Sequence, residues 1–467
     1  LRDGFFPYRF WLRADYLEQP TCPLGQGDIA VRVRLHPASG ADNASMRLQF
    51  PRPCLDRAVY WIAGAAFFLR LAARLCQGIN SFWVNGYALF FELAQSIAEG
   101  KGMALANGVP TAFRVPLYSI LLAGLTLGHR WFWPIAIAQS LIGAATVIYA
   151  AILAQQIFAG MQGRMAATVA ALITAVYPYY VVHDTALQES SLYTLLTLFA
   201  VVLALRTGRS GTLGLAALCG VALGLDVLTR SPMALFALIV PVWLIVRKRF
   251  AHGFVCAGLL FLTVLPWLWR NERLFGVPVL TTEAGYELWN GNNEMLFRYY
   301  PMQSVDVSIN AHVDTLDAMA TPGAMTGSEL PPSTANEAVI DGWFERQALD
   351  YMRAHPWLTF VNGLRKIGAT FDWLPTPRRS RAQSVLHFIS FGPVMLLGLW
   401  GMWLRRANWR DNSLIYLLFG QFLLVTAVYF GQTNHRVFLD EYFIVFAAGT
   451  IAEKFARRAT NDGAFPP

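Results

Sequence analysis

Apolar stretches recur along the chain at the length that crosses a bilayer, about 17–25 residues. They fall near 57–75, 132–157, 165–182, 190–205, 212–229, 233–247, 252–270, 385–403, 413–430 and 437–453. The pattern predicts an all-α polytopic membrane protein with about ten transmembrane helices. An eleventh apolar stretch, Pro116 to Gly128, is short and reads as a short span or as a helix lying at the surface or re-entering. Residues 1–56 form a polar N-terminal extension, in which Ile29, Val31, Val33 and Leu35 alternate as in a strand. The membrane segments then divide into 57–270, which includes a first outer loop at 76–131 with short amphipathic helices, and 385–453. A loop domain at 271–384 lies between them, and 454–467 form a tail.

Charge decides the orientation. One side receives Arg164, Arg206, Arg209, Arg247, Lys248, Arg249, Arg405, Arg406, Arg410, Lys454, Arg457 and Arg458 in short connectors, whereas the short loops opposite carry Arg230 and Arg436. Basic residues in short loops mark the cytoplasmic face. Counting Pro116–Gly128 as non-spanning puts both large loops on the outer face together and both termini inside. A bacterial inner-membrane protein with a periplasmic loop domain is therefore expected.

Composition agrees with the pattern. Hydrophobic residues make up 55% of the chain and charged residues only 14%, with a mean hydropathy of +0.40. Soluble domains carry about 25% charged residues, so a soluble enzyme, a disordered chain and a disulfide scaffold are excluded. Cys22, Cys54, Cys76, Cys219 and Cys256 lack paired spacing, which argues against a zinc site. The net charge of +8 is explained by the orienting loops and does not point to nucleic acid.

Polar features collect on the outer side. They include Asn85-Gly86-Tyr87, Arg114-Val115-Pro116-Leu117-Tyr118, Tyr177-Pro178 with His183, Asp184 and Glu189, and Leu228-Thr229-Arg230. Pro266-Trp267 with Arg270-Asn271 and Gly285-Tyr286-Glu287-Leu288-Trp289-Asn290-Gly291-Asn292-Asn293 complete the set. Charges at membrane depth are expensive and are functional candidates by default. Carboxylates can take a proton from an acceptor, and arginines can hold a phosphate and stabilise it as a leaving group. Asp184, Glu189 and Glu92 are thus candidate catalytic groups. Arg114, Arg230, Arg270 and Arg436 are candidate phosphate ligands, with Tyr118, Asn271, Asn292 and Asn293 as candidate substrate contacts.

Each has a plainer reading. The arginines can snorkel to headgroups, Glu189 suits the positive end of a helix, and Asp184 suits a helix cap. Asn292 and Asn293 suit a turn. His183 has no partner at ligand spacing, so no metal site is assigned. Trp131, Trp133, Trp267 and Trp269 read as an aromatic belt.

In their order, R-x-P-L-Y, a Tyr-Pro loop with Leu-x-Glu, L-T-R, P-W-x-x-R-N and G-x-x-L-W-x-G-N-N, these motifs resemble the bacterial branch of the GT-C membrane glycosyltransferases. That branch is the protein O-mannosyltransferase and aminoarabinose-transferase-like group. The resemblance covers about residues 57–453. It implies transfer of a sugar from a polyprenyl-phosphate donor, with inversion, to a glycan, lipid or protein acceptor at the periplasmic face. Glu189 then matches the family's outer-loop glutamate, Arg114, Arg230 and Arg270 its recurrent arginines, and Asn292 and Asn293 its Gly-Asn-Asn turn. One departure stands out. The family's first-loop acid, seven positions before Leu93-Ala94, falls here at Gly86 beside Asn85, and neither is a base. Glu92, Glu99 or Asp184 replaces it, or the acceptor arrives ionised, or the chain is catalytically degenerate. A lipid-linked-glycan transporter or flippase and a non-catalytic membrane scaffold are the competing functions.

Overall fold

The computed structural model describes residues 28–33, 46–51, 55–84, 88–302, 336–375 and 380–461. In the extension, strand β1 (Asp28–Val33) pairs antiparallel with β2 (Met46–Pro51), with Val31 opposite Leu48. The period-2 alternation of apolar residues thus marks a strand over Ile29, Val31 and Val33, and Leu35 lies outside the described residues. Asn85, Gly86, Cys22 and Cys54 lie outside the described residues.

The rest of the described chain is helical. A helix occupies each apolar run: α1 (Arg57–Cys76), α5 (Phe132–Ile157), α6 (Gly160–Val176), α8 (Ser190–Ser210), α9 (Leu213–Val227), α10 (Ala234–Val246) and α11 (Phe250–Phe275). The last three are α15 (Arg381–Leu404), α16 (Ser413–Val428) and α17 (Val437–Asn461). The first outer loop carries α2 (Ile79–Val84), α3 (Ala88–Ala98) and α4 (Leu117–Thr126), and α7 (Pro178–Asp184) follows α6. The second outer segment carries α12 (Ala284–Asn290), α13 (Glu337–Ala354) and α14 (Pro356–Thr370).

Five helices, α1, α5, α8, α11 and α15, are long and apolar enough to cross a bilayer. Helices α6 and α7, bent by 55° where Pro178 interrupts the chain, together make a sixth candidate. Helices α9, α10 and α16, of 15, 13 and 16 residues, are shorter. At 1.5 Å per residue the longest of these rises about 24 Å, against a hydrocarbon core of about 30 Å. Helix α4 has only 10 residues, in keeping with a segment that does not cross.

Helix α17 is the axis of the packing. It contacts α15, α6, α5 and α8, and every side chain from Arg436 to Gly449 is buried. Close crossings use glycine: a Cβ at Gly449 would collide with the Phe158 ring, and one at Gly401 with the Phe446 carbonyl.

Hydrogen bonds sort the loops onto two ends. At one end Arg209 donates to the Gln156 carbonyl (2.6 Å), Arg249 to the Arg209 carbonyl (2.9 Å) and Arg405 to Gln162 (3.0 Å). Arg247 reaches the Arg410 carbonyl there as well. The basic connectors therefore lie together. At the other end the outer segments interlock: the Leu117 N–H donates to the Leu228 carbonyl (2.9 Å), and Gln421 donates to the Pro232 carbonyl (2.9 Å). Lys366 on α14 fastens this end. Its buried ammonium donates to the carbonyls of Gly291 (3.0 Å), Val428 (3.1 Å) and Tyr429 (2.8 Å). Gly291 admits that approach because a Cβ there would strike the Tyr429 carbonyl.

Candidate active site

At the interlocked end a cavity of about 960 Å³ opens among the loop before α4, the start of α8, the turn before α10, the segment 278–290, α13 and the end of α16. Sequence sets its wall locally. Pro116 is the residue that opens α4, directly after Arg114-Val115, while the Thr229–Pro232 turn breaks the chain between α9 and α10. Each break leaves an arginine on the cavity wall.

Arg114 Nη1 donates to Glu283 Oε2 at 2.7 Å, and its guanidinium lies 5.1 Å from the Phe113 ring centre and 5.9 Å from that of Phe90. Arg230 lies over the Tyr193 ring at 5.2 Å. Glu189 caps the start of α8 without a side-chain cap bond, and its buried Oε2 has no hydrogen-bond partner. Burying an acceptor without a partner costs about 1–3 kcal/mol. Glu287, Asp341, Glu345 and His435 complete the ionisable lining.

The environment tunes these groups. Burial holds the Glu283 carboxyl well above the usual range; the Arg114 guanidinium opposes this, and Glu287 and Glu189 add to it. Burial also raises Asp341, against the backbone N–H groups of Tyr286 and Gly285. Burial, and then the Arg230 guanidinium, push the His435 ring down to about 3, so it is neutral at physiological pH.

Of the eleven residues singled out from sequence, the structure brings Glu189, Arg114 and Arg230 to the cavity. The other eight are elsewhere. Asp184 is buried against Arg70, with its Oδ2 2.5 Å from Nε. Arg70 also donates to the Ala66 and Ala175 carbonyls at 3.2 and 3.0 Å, so this pair pins α1 to α6 and α7. Asp184 lies outside the cavity lining and does not cap α8, and Gly143 makes room for its pair with Arg70. Glu92 is exposed on α3 and does not line the cavity. Glu99 is likewise exposed and pairs with Lys101 at 2.6 Å.

Arg270 bonds to the carbonyls of Met103 (2.7 Å) and Thr111 (3.2 Å) and lies 4.7 Å from the Trp267 ring centre, tying the first outer loop to α11. Arg436 is fully buried. It donates to Thr433 and Thr370 carbonyls at 2.6 and 3.3 Å and lies 3.4 Å from the Phe391 ring centre. Both arginines support the walls and do not face the cavity.

Tyr118 packs on Phe90 at 5.2 Å, its hydroxyl buried without a partner. The amide of Asn271 donates to the Val279 carbonyl at 2.8 Å. Asn292 donates to the Leu288 and Val428 carbonyls, and Asn293 to the Trp289 carbonyl. All three asparagines shape turns.

Sequence reasoning passed over Glu283, Asp341, Glu345 and His435. Glu287 stood inside the Gly285–Asn293 motif, which was a usable signal. Glu283, two residues before that motif, had none beyond proximity. Among the described residues no group of three or more His, Cys, Asp and Glu converges as a metal site.

Residues 115–269 match the family model described as dolichyl-phosphate-mannose-protein mannosyltransferase. No curated protein matches the chain by sequence. Among solved structures, the chain is similar to the Archaeoglobus fulgidus oligosaccharyltransferase tethered with an acceptor peptide, at 12% identity and a TM-score of 0.47. That likeness covers 86% of this chain and 50% of the other, so the chain spans about half the length of that enzyme. It is also similar to ArnT from Cupriavidus metallidurans bound to undecaprenyl phosphate, at 12% identity and a TM-score of 0.36, over 78% of this chain and 72% of that one. The family match falls inside the stretch over which the motifs carry the resemblance, and the long apolar helices make this a multi-pass membrane protein.

Proposed function

We propose that this protein transfers a sugar from a polyprenyl-phosphate donor to an acceptor in the cavity at the outer end of the bundle, on the periplasmic face of a bacterial inner membrane. The observation that carries this reading is the convergence of Arg114, Arg230 and the unpartnered Glu189 oxygen, from three separate segments, on one cavity.

The two guanidiniums would bind the donor phosphate by charge-assisted hydrogen bonds and stabilise it as it departs. The reacting sugar carbon would gain positive charge in the transition state, as in glycoside chemistry generally. Glu189 would then hold the acceptor by accepting its hydrogen bond and would stabilise that charge. The helices α12, α13 and α14, from the segment 271–384, would act as a periplasmic unit closing the cavity from outside. The acceptor, whether glycan, lipid or protein, would enter from that side.

The test is transfer of radiolabelled sugar in membranes, using a panel of polyprenyl-phosphate sugars. Glu189→Gln should bind donor but turn over about 10²–10³-fold more slowly, and Arg230→Ala should lose donor binding. Both variants behaving like wild type would remove this cavity from the chemistry.

A further inference from the structure

A cation and a carboxylate on the cavity wall are bonded to each other. Arg114 Nη1 and Glu283 Oε2 lie 2.7 Å apart, joining the loop before α4 to the residue that opens α12. Both line the cavity, and the Glu283 side chain is only 10% exposed. A phosphate that takes the Nη1 edge of Arg114 competes with this carboxylate, because phosphates also prefer paired guanidinium N–H donors.

Two other carboxyls nearby are engaged elsewhere. Asp341 Oδ1 accepts the Tyr286 N–H at 3.0 Å, and Glu337 Oε2 accepts the Ala112 N–H and the Thr282 hydroxyl at 2.9 and 2.8 Å. Glu283 is the one whose partner a donor would take.

We propose that the donor phosphate displaces Glu283 from Arg114, and that the released Glu283 carboxylate takes up a proton as the donor seats, so that donor binding is coupled to protonation of the cavity wall. This rests on the donor reading above.

A carboxylate that loses a guanidinium partner while staying buried binds a proton more tightly. Around Glu283, burial, Glu287 and Glu189 already favour the protonated form, and Arg114 alone among its facing charges opposes it. Across the cavity stand Arg230 and His435. Displacement of Arg114 therefore converts a paired carboxylate into one that binds a proton as the donor is seated.

With undecaprenyl phosphate as the probe and no acceptor present, the proton must come from the buffer. Titration calorimetry of the full chain in nanodiscs, repeated in buffers of different ionisation enthalpy near pH 7, counts protons taken up. Wild type should take up about one proton more than Glu283→Gln, the difference cancelling any proton lost by the phosphate itself. Glu283→Gln should also bind several-fold tighter, its competitor having been removed. Glu283→Asp keeps a carboxylate and should retain the uptake, which guards against a misfolded glutamine variant. Equal proton counts in wild type and Glu283→Gln, or weaker binding by Glu283→Gln, would show that Glu283 merely holds Arg114 in place. No binding by wild type would instead sink the donor reading itself.

Discussion

The Arg70–Asp184 pair and the Arg114–Glu283 pair contain the same chemical groups in different surroundings. Arg70 is fully buried, and its guanidinium is spent on Asp184 and the carbonyls of α1 and α6. Arg114 and Glu283 stand on the wall of a cavity of about 960 Å³. A salt bridge surrounded by packed helices holds them in register, whereas one beside an open volume can exchange partners. Burial alone does not distinguish a structural ion pair from a working one; the space next to it does.

The comparison can be broken most forcefully at the packed pair. Arg70→Met leaves a buried carboxylate unpaired and should destabilise the protein by about 3–5 kcal/mol, read as a lowered melting temperature in detergent. Arg70→Met combined with Asp184→Leu should recover most of that loss, since an apolar pair of similar volume often replaces a buried ion pair without cost. Sugar transfer by the double variant should survive. Loss of turnover in a well-folded double variant would return Asp184 to the list of catalytic groups.

A smaller effect is expected at Lys366. Lys366→Met leaves the Gly291, Val428 and Tyr429 carbonyls without their shared donor and should lower stability by about 2 kcal/mol. Protease sensitivity should rise first in the segment after α12, because the latch there is what opens. The smallest effect belongs to Glu92. Glu92→Gln should leave transfer within about twofold of wild type, since surface substitutions usually stay within about 0.5 kcal/mol. A fall beyond tenfold would place α3 in the chemistry.

Much of the architecture was legible in the chain. Helices occupy each apolar run, the short Pro116–Gly128 stretch became a ten-residue helix, and the basic connectors cluster at one end. The candidate site was legible in part. Arg114, Arg230 and Glu189 reach the cavity, whereas Arg270 and Arg436, placed in the same class by charge and position, turn to backbone carbonyls. Nothing local separates the two sets, because each arginine ends or adjoins an apolar run and differs only in what lies across from it.

Sequence by itself determined the solvent: an apolar content this high, broken by basic connectors on alternate turns, leaves a bilayer as the medium in which the chain can fold. It also determined where helices start and stop, since hydropathy, proline and glycine act on near neighbours. Only the tertiary structure decided which charges are paired and which face open space. Asp184 meets Arg70 across 114 positions of chain, and Arg114 meets Glu283 across 169. Such pairings follow from how helices cross, and the crossing is fixed by packing summed over the whole bundle rather than by any one segment.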